Sequence, residues 1–124
     1  MKKPIVFIDP DELERMEWVA FPEGLPGVWE KVLAHDPESG SYTRLIKADP
    51  GLVLDEIRCH DFWEESYILS GSFEENGTVF GPGTFVCNPP GYEHGPYTSP
   101  EGWLALEWVY YDGDSPDGGD GIRP

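Results

Sequence analysis

Turn-forming residues punctuate this chain at short intervals: Asp36-Pro37, Asp49-Pro50-Gly51, Asn76-Gly77, Gly81-Pro82-Gly83 and Pro89-Pro90-Gly91. The stretches between them are rich in β-branched and aromatic residues, which favour a pleated, half-buried surface. From Val53 onward the pattern predicts strands over about Val53–Cys59, Glu65–Ser70, Thr78–Phe80, Thr84–Cys87 and Trp103–Tyr111. Strands recurring roughly every eight to twelve residues specify an all-β sandwich or barrel of packed antiparallel sheets. Asn76-Gly77 is the sequence of a type I′ hairpin turn, because both positions tolerate positive φ. The 13 Pro and 15 Gly exclude a helical bundle and fit many short strands with tight corners.

Upstream the signals are weaker. Residues 4–8 read as an edge strand. Asp9-Pro10-Asp11-Glu12 offers an N-cap, an N1 proline and an acidic first turn, so a short helical turn is expected through Met16. Trp18–Phe21, Gly27–Leu33 and Ser41–Ala48 read as further strands. With 124 residues the chain fits a single domain. Residues 1–39 are expected to pack on or extend the barrel, 40–111 to form its core, and 112–124 to be a disordered acidic tail with little to bury.

Charge narrows the partners. The 24 acidic residues against 8 basic ones give a formal net charge of −16, which repels phosphate backbones and anionic lipid alike. A small-molecule substrate is expected, with neither nucleic acid nor membrane as partner. The apolar run near the N-terminus stops at Asp9-Pro10, too short for a secretion signal, so the expected location is the cytoplasm.

Chemistry concentrates between Arg58 and His94. If Val53–Cys59 continues as a strand, Arg58 and His60 share one face and Cys59 the other. Glu64 follows across a short turn, and His94 arrives from a separate hairpin after Pro89-Pro90-Gly91. Two imidazoles and a carboxylate suit a divalent transition metal with open coordination positions. Ser66 and Ile68 share the face of Glu64, and with Tyr92 they are the candidate substrate contacts. Tyr97, Trp103 and Trp108 read as core packing. Cys87 reads as a small buried apolar residue. Glu65 points to the other face as a solvated charge. No nucleophile-elbow serine, phosphate-binding glycine loop or CxxC pair is present.

The run His60-x(3)-Glu64-x(6)-Gly71 resembles the first cupin motif from its second histidine onward. Gly83-x(5)-Pro89-x-Gly91-x(2)-His94 is similar to the second motif at full spacing. The wider text over about residues 40–110 resembles the cupin domain of the ChrR anti-sigma factor and the small cupins related to acetylacetone dioxygenase. The resemblance implies a cupin-type jelly-roll β-barrel. It also implies a metal site of three histidines and one glutamate, and pairing of two copies into a homodimer.

One residue departs from that pattern. Arg58 stands where the family has its first histidine, and a guanidinium stays charged and ligates no cation. The segment from Gly51 to Arg58 is also one residue longer than the common pattern, which points to a β-bulge. Cys59 and Glu56 are the residues such a bulge would turn inward as replacement ligands. Without them the ligand set is His60, Glu64 and His94, the composition of a non-haem iron facial triad. Iron is the expected metal, with zinc, manganese and nickel as alternatives. The resemblance then implies an oxygen-dependent dioxygenase acting on a keto or enolisable substrate, with Arg58 as the catalytic group holding an anionic substrate oxygen. Three other readings stay open. One is a metal-free pocket in which Arg58 pairs with Glu64. The second is a ligand- or metal-sensing module, and the third is a non-redox isomerase or sugar-binding cupin.

Overall fold

The computed structural model of the protein describes residues 7–21 and 25–111. A short helix, α1 (Pro10–Arg15), opens this part. The Glu12 amide donates to Asp9 Oδ1 at 2.9 Å, and Pro10 occupies the first turn, where no amide hydrogen is needed. Ten strands follow: β1 (Val19–Ala20), β2 (Val28–His35), β3 (Tyr42–Ala48), β4 (Leu52–Leu54), β5 (Trp63–Gly71), β6 (Phe73–Glu75), β7 (Thr78–Phe80), β8 (Phe85–Asn88), β9 (Tyr97–Ser99) and β10 (Trp103–Tyr110).

They form two antiparallel sheets. The larger has the order β1-β2-β3-β10-β5-β8, the smaller β4-β9-β6-β7. The central strand β10 is far in sequence from both of its neighbours, β3 and β5, so the middle of the larger sheet is assembled from long-range pairings. The two packed antiparallel sheets are what the turn spacing led one to expect, and their jelly-roll arrangement is the one that the cupin resemblance implies.

Alternation along the strands builds the core. Val28, Ile46, Ala48, Leu52, Ile68, Phe73 and Ala105 form one buried cluster between the sheets. Each large aliphatic or aromatic side chain buried this way stabilises the fold by roughly 1.5–3 kcal/mol. Phe73 anchors the far end, with the rings of Phe80, Tyr97 and Trp103 at centroid distances of 5.0, 5.6 and 5.3 Å.

Two turns carry the geometry that their residues require. Asn76 and Gly77 have φ of 51° and 82°, as a type I′ turn between β6 and β7 demands. Gly71 ends β5 at φ 73°, and a Cβ there would lie 2.1 Å from the Gly102 carbonyl oxygen. Only glycine allows β5 to pass so close to the start of β10.

Several expectations need correcting. The strand expected over 53–59 ends at Leu54. Beyond it the chain leaves the sheet with Asp55, Glu56 and Ile57 exposed, and only an isolated bridge between Arg58 and His94 remains. Strict alternation therefore fails there. Cys87 is exposed, because it lies opposite Glu65 on the outward face while Asn88 and Val86 take the inward one. β6 and β9, three residues each, were not anticipated. Residues 7 and 8 are not in a strand, and the rest of the expected edge strand lies outside the described residues, as does the acidic tail. Residue 40 falls between β2 and β3, which pair with one another in the larger sheet.

Candidate metal centre

The register of the larger sheet sets the character of its inner face row by row. Ile46, Ala105 and Ile68 lie directly opposite one another on β3, β10 and β5. Two residues along, the row reads Arg44, Glu107, Ser66 and Val86. In the row after that, Glu64 faces Asn88. An apolar floor thus gives way to a polar end within a few ångströms. A cavity of about 220 Å³ opens over this boundary. Phe21, Leu54, Phe73 and Trp103 wall its apolar side, and Arg58, His60, Glu64 and His94 its polar side.

Two loops bring the histidines to Glu64. The Gly91 amide donates to the His60 carbonyl at 2.9 Å, tying the segment before β5 to the one before β9. Arg58 and His94 exchange backbone hydrogen bonds of 2.7 and 2.8 Å, which makes their side chains cross-strand neighbours. His60 Nδ1 hydrogen-bonds the Phe62 carbonyl at 2.9 Å, and its ring stacks on Phe62 with centroids 4.0 Å apart. A carbonyl only accepts, so Nδ1 carries the hydrogen and Nε2 keeps its lone pair. That Nε2 faces His94 Nε2 at 3.1 Å and Glu64 Oε1 at 3.8 Å.

This convergence fits a cation. His60, Glu64 and His94 each offer one ligand atom, all within 4.8 Å of one another. Two nitrogens about 2.1 Å from a shared ion and at right angles to one another lie about 3 Å apart, close to the spacing seen. Each candidate ligand also has an outer partner, as metal ligands require. His60 has the Phe62 carbonyl, and His94 Nδ1 hydrogen-bonds the Tyr97 hydroxyl. Glu64 accepts from Asn88 Nδ2 at 3.2 Å on Oε1, while Arg44 Nη2 lies 3.6 Å from Oε2.

Arg44 is the hub beneath the site. Its side chain is 1% exposed. Nε donates to Glu107 Oε1 at 2.7 Å and Nη1 to Glu30 Oε2 at 2.7 Å, while Nη2 lies 2.5 Å from Glu107 Oε1. Ser66 Oγ donates to the other Glu107 oxygen at 2.8 Å. The guanidinium also lies over the Phe21 ring, 4.5 Å from its centroid.

Burial and charge divide the ionisable groups. Burial would push the Glu64 carboxyl up, but the His60 ring and the Arg44 guanidinium outweigh it and hold the pKa low. Burial also works against protonated His60, yet the Glu64 charge wins and raises it. His94 is lowered, first by burial and then by the positive charges of His60 and Arg58, which Glu64 and Glu75 only partly offset. Glu107 is pushed up to about 7 by burial and by the charge of Glu64, against the pull of Arg44. Of the candidate ligands, Glu64 is thus biased toward its ionised form and His94 toward its neutral one.

The other expected site residues divide. Ser66 and Ile68 line the cavity. Tyr92 does not: it is 51% exposed, its ring parallel to His94 with centroids 6.4 Å apart. Immediately after the Pro89-Pro90-Gly91 turn its side chain is directed to solvent. Arg58 lines the cavity but does not pair with Glu64; its ionic partner is exposed Glu56 at 3.7 Å. Arg44 has taken the place beside Glu64 that a metal-free pocket would assign to Arg58. Cys59 lines the cavity without joining the ligand group.

Arg44, Asn88 and Glu107 went unremarked in the sequence, and Tyr97 was read there only as core packing. A signal existed for two of them: Arg44 alternates with Ile46 and Ala48, and Glu107 with Ala105 and Val109, on inward faces where a charge needs a partner.

Two packed antiparallel sheets with a ligand-lined cavity at one end define a small cupin. The ChrR cupin-like family model matches residues 10–107, and the chain belongs to that family. The fold is similar to KdgF from Halomonas sp., at 24% identity and a TM-score of 0.65 over 85% of this chain and 94% of that one. It is also similar to an acetylacetone dioxygenase from Acinetobacter johnsonii, at 19% identity and a TM-score of 0.66 over 87% and 74%. The third is the anti-sigma factor ChrR, seen in complex with SigE from Rhodobacter sphaeroides. There the values are 21% and 0.59 over 78% of this chain and 51% of that one. No curated protein matches the chain in sequence. Among the described residues no helix is long and apolar enough to cross a membrane.

Proposed function

We propose that the chain is a mononuclear-metal enzyme of the cupin type, a dioxygenase that cleaves a small keto or enolisable substrate. The observation that carries this reading is the convergence of His60 Nε2, His94 Nε2 and a Glu64 oxygen in one cavity, beside Arg58. A divalent ion held there, iron before zinc, manganese or nickel, would supply Lewis acidity toward a substrate oxygen and, as iron, oxygen activation.

The chain's own residues do the rest. Arg58, the cross-strand neighbour of His94, holds the enolate or carboxylate oxygen of the substrate. The wall of Phe21, Leu54, Phe73 and Trp103 takes the apolar part and excludes water. Ser66 and Ile68 shape the floor between them. In the overall reaction one carbon–carbon bond breaks and both atoms of O₂ end in the two carbonyl-containing fragments, so no external reductant is needed. The partners are a small molecule and, across the sheets, a second copy of the chain.

The test is metal content and oxygen uptake of protein purified without chelator or nickel resin. About one iron per chain, with oxygen consumed on adding small β-diketones or keto acids, supports the reading. Protein that takes up no Fe, Mn, Ni, Zn or Cu under any redox condition refutes it. Membership of the ChrR cupin-like family favours a second reading, a metal- or ligand-sensing module. That reading requires metal binding without oxygen uptake on any substrate.

A further inference from the structure

The two histidines differ in a way the ligand set does not require. His60 Nδ1 faces a backbone carbonyl, which only accepts, so the tautomer of His60 is invariant. His94 Nδ1 faces the hydroxyl of Tyr97, which both donates and accepts. Three further contacts hold this pair. The Gly95 amide, next to His94, donates to Glu75 Oε2 at 2.7 Å, and Tyr97 lies opposite Glu75 in the β6–β9 pairing. The Tyr97 ring packs edge-on against Phe73 with centroids 5.6 Å apart.

From this geometry we infer that Tyr97 is a positioning residue that switches His94 between two tautomers, one closed to a cation and one open to it. The inference rests on the reading of His94 as a metal ligand. Without a cation, two lone pairs cannot face each other at the 3.1 Å that separates the Nε2 atoms. In neutral His60 the Nε2 atom is the acceptor, so His94 must carry its hydrogen on Nε2 and donate it across that gap. Its Nδ1 then accepts from the Tyr97 O–H. With a cation between the rings, the hydrogen moves from Nε2 to Nδ1 of the same imidazole by exchange with water. Nδ1–H then donates to the Tyr97 oxygen, and the hydroxyl hydrogen turns away. One hydrogen changes nitrogen, one O–H rotates, and no proton is released. A carbonyl or a carboxylate in place of Tyr97 would accept only, and would leave the metal-free site with both lone pairs opposed.

The experiment is histidine ¹⁵N NMR at a pH well above the histidine range, on metal-free and zinc-loaded protein, with Tyr97→Phe in parallel. In wild type, His60 is expected in the Nδ1–H form throughout, while His94 passes from Nε2–H to Nδ1–H when zinc is added. Tyr97→Phe keeps the ring packing, so a purely structural role predicts unchanged zinc affinity. Loss of the hydroxyl partner predicts affinity about 10- to 100-fold lower. His94 already in the Nδ1–H form without zinc, or Tyr97→Phe binding zinc within twofold of wild type, overturns the inference. Failure of wild type to bind zinc counts against the metal reading alone, because the metal-free tautomer of His94 still decides the role of Tyr97.

Discussion

Replacing Arg44 by methionine isolates what the buried charge network contributes. The methionine side chain keeps most of the apolar contact with Phe21 and removes the guanidinium. Glu30, Glu107 and Glu64 then lose their common partner, at contacts of 2.7, 2.5 and 3.6 Å. A pair of unit charges 4 Å apart is worth about 4 kcal/mol at an effective dielectric constant of about 20, but that attraction already offsets the desolvation of the same groups. The net loss on breaking a buried pair from one side is about 3–5 kcal/mol. For a domain of this size, about 4 °C per kcal/mol makes that a fall in Tm of about 12–20 °C. In urea the midpoint would fall by about 2–3 M.

The loss should also depend on pH. Glu107, already pushed up to about 7, takes a proton more readily once Arg44 is gone, so the penalty should be larger at pH ~8 than at pH ~5. Arg44→Lys keeps a charge but not the fork and should lose less. Glu107→Gln added to Arg44→Met should recover part of the loss, because one stranded carboxylate has gone; a double-mutant cycle measures the coupling. Urea melts followed by circular dichroism supply all of these values. A loss under about 1 kcal/mol at pH ~8 would mean that the network is not what holds this end of the barrel, and the reasoning would be refuted.

Arg58→His should add a fourth ligand and remove a positive charge beside the ion, tightening metal binding at least about tenfold; His94→Ala should abolish binding with or without that change. Chelator treatment should leave the circular dichroism spectrum and a cooperative melt intact, since the core cluster is apolar and separate from the ligands, whereas global unfolding would make the site structural. Glu107 binds its proton more tightly in the folded chain than its ordinary value of 4.5, so its contribution is full below about 4.5 and fades as pH rises to about 7. Raised His60 acts in the same direction and lowered His94 in the opposite one. Midpoint against pH should therefore fall less steeply between about 5 and 7 in Glu107→Gln than in wild type, and equal slopes would contradict the assignment. Gly71→Ala, which forces a Cβ to 2.1 Å from a backbone oxygen at positive φ, should cost more than the ~1 kcal/mol of an ordinary glycine replacement, read from the same melts.

What the sequence determined by itself was whatever depends on neighbours along the chain. Turn chemistry at Asn76-Gly77 and Gly81-Pro82-Gly83 set the hairpins and the all-β class, because φ preferences act within a few residues. The motif residues His60, Glu64 and His94 were legible as a group through their types and spacing. The tertiary structure decided what depends on register between strands distant in sequence. Glu107 meets Arg44 across 63 positions and Ser66 across 41, and no local pattern carries those pairings. The same holds for the partner of Arg58. Sequence offered Glu64, across a short turn from His60, as the partner of Arg58 in a metal-free pocket, but the chain leaves the sheet after Leu54 and Arg58 is placed by its bridge to His94 instead. That bridge leaves Arg58 beside Glu56 at the cavity wall, while β3, two strands before β5, delivers the guanidinium that Glu64 lies beside.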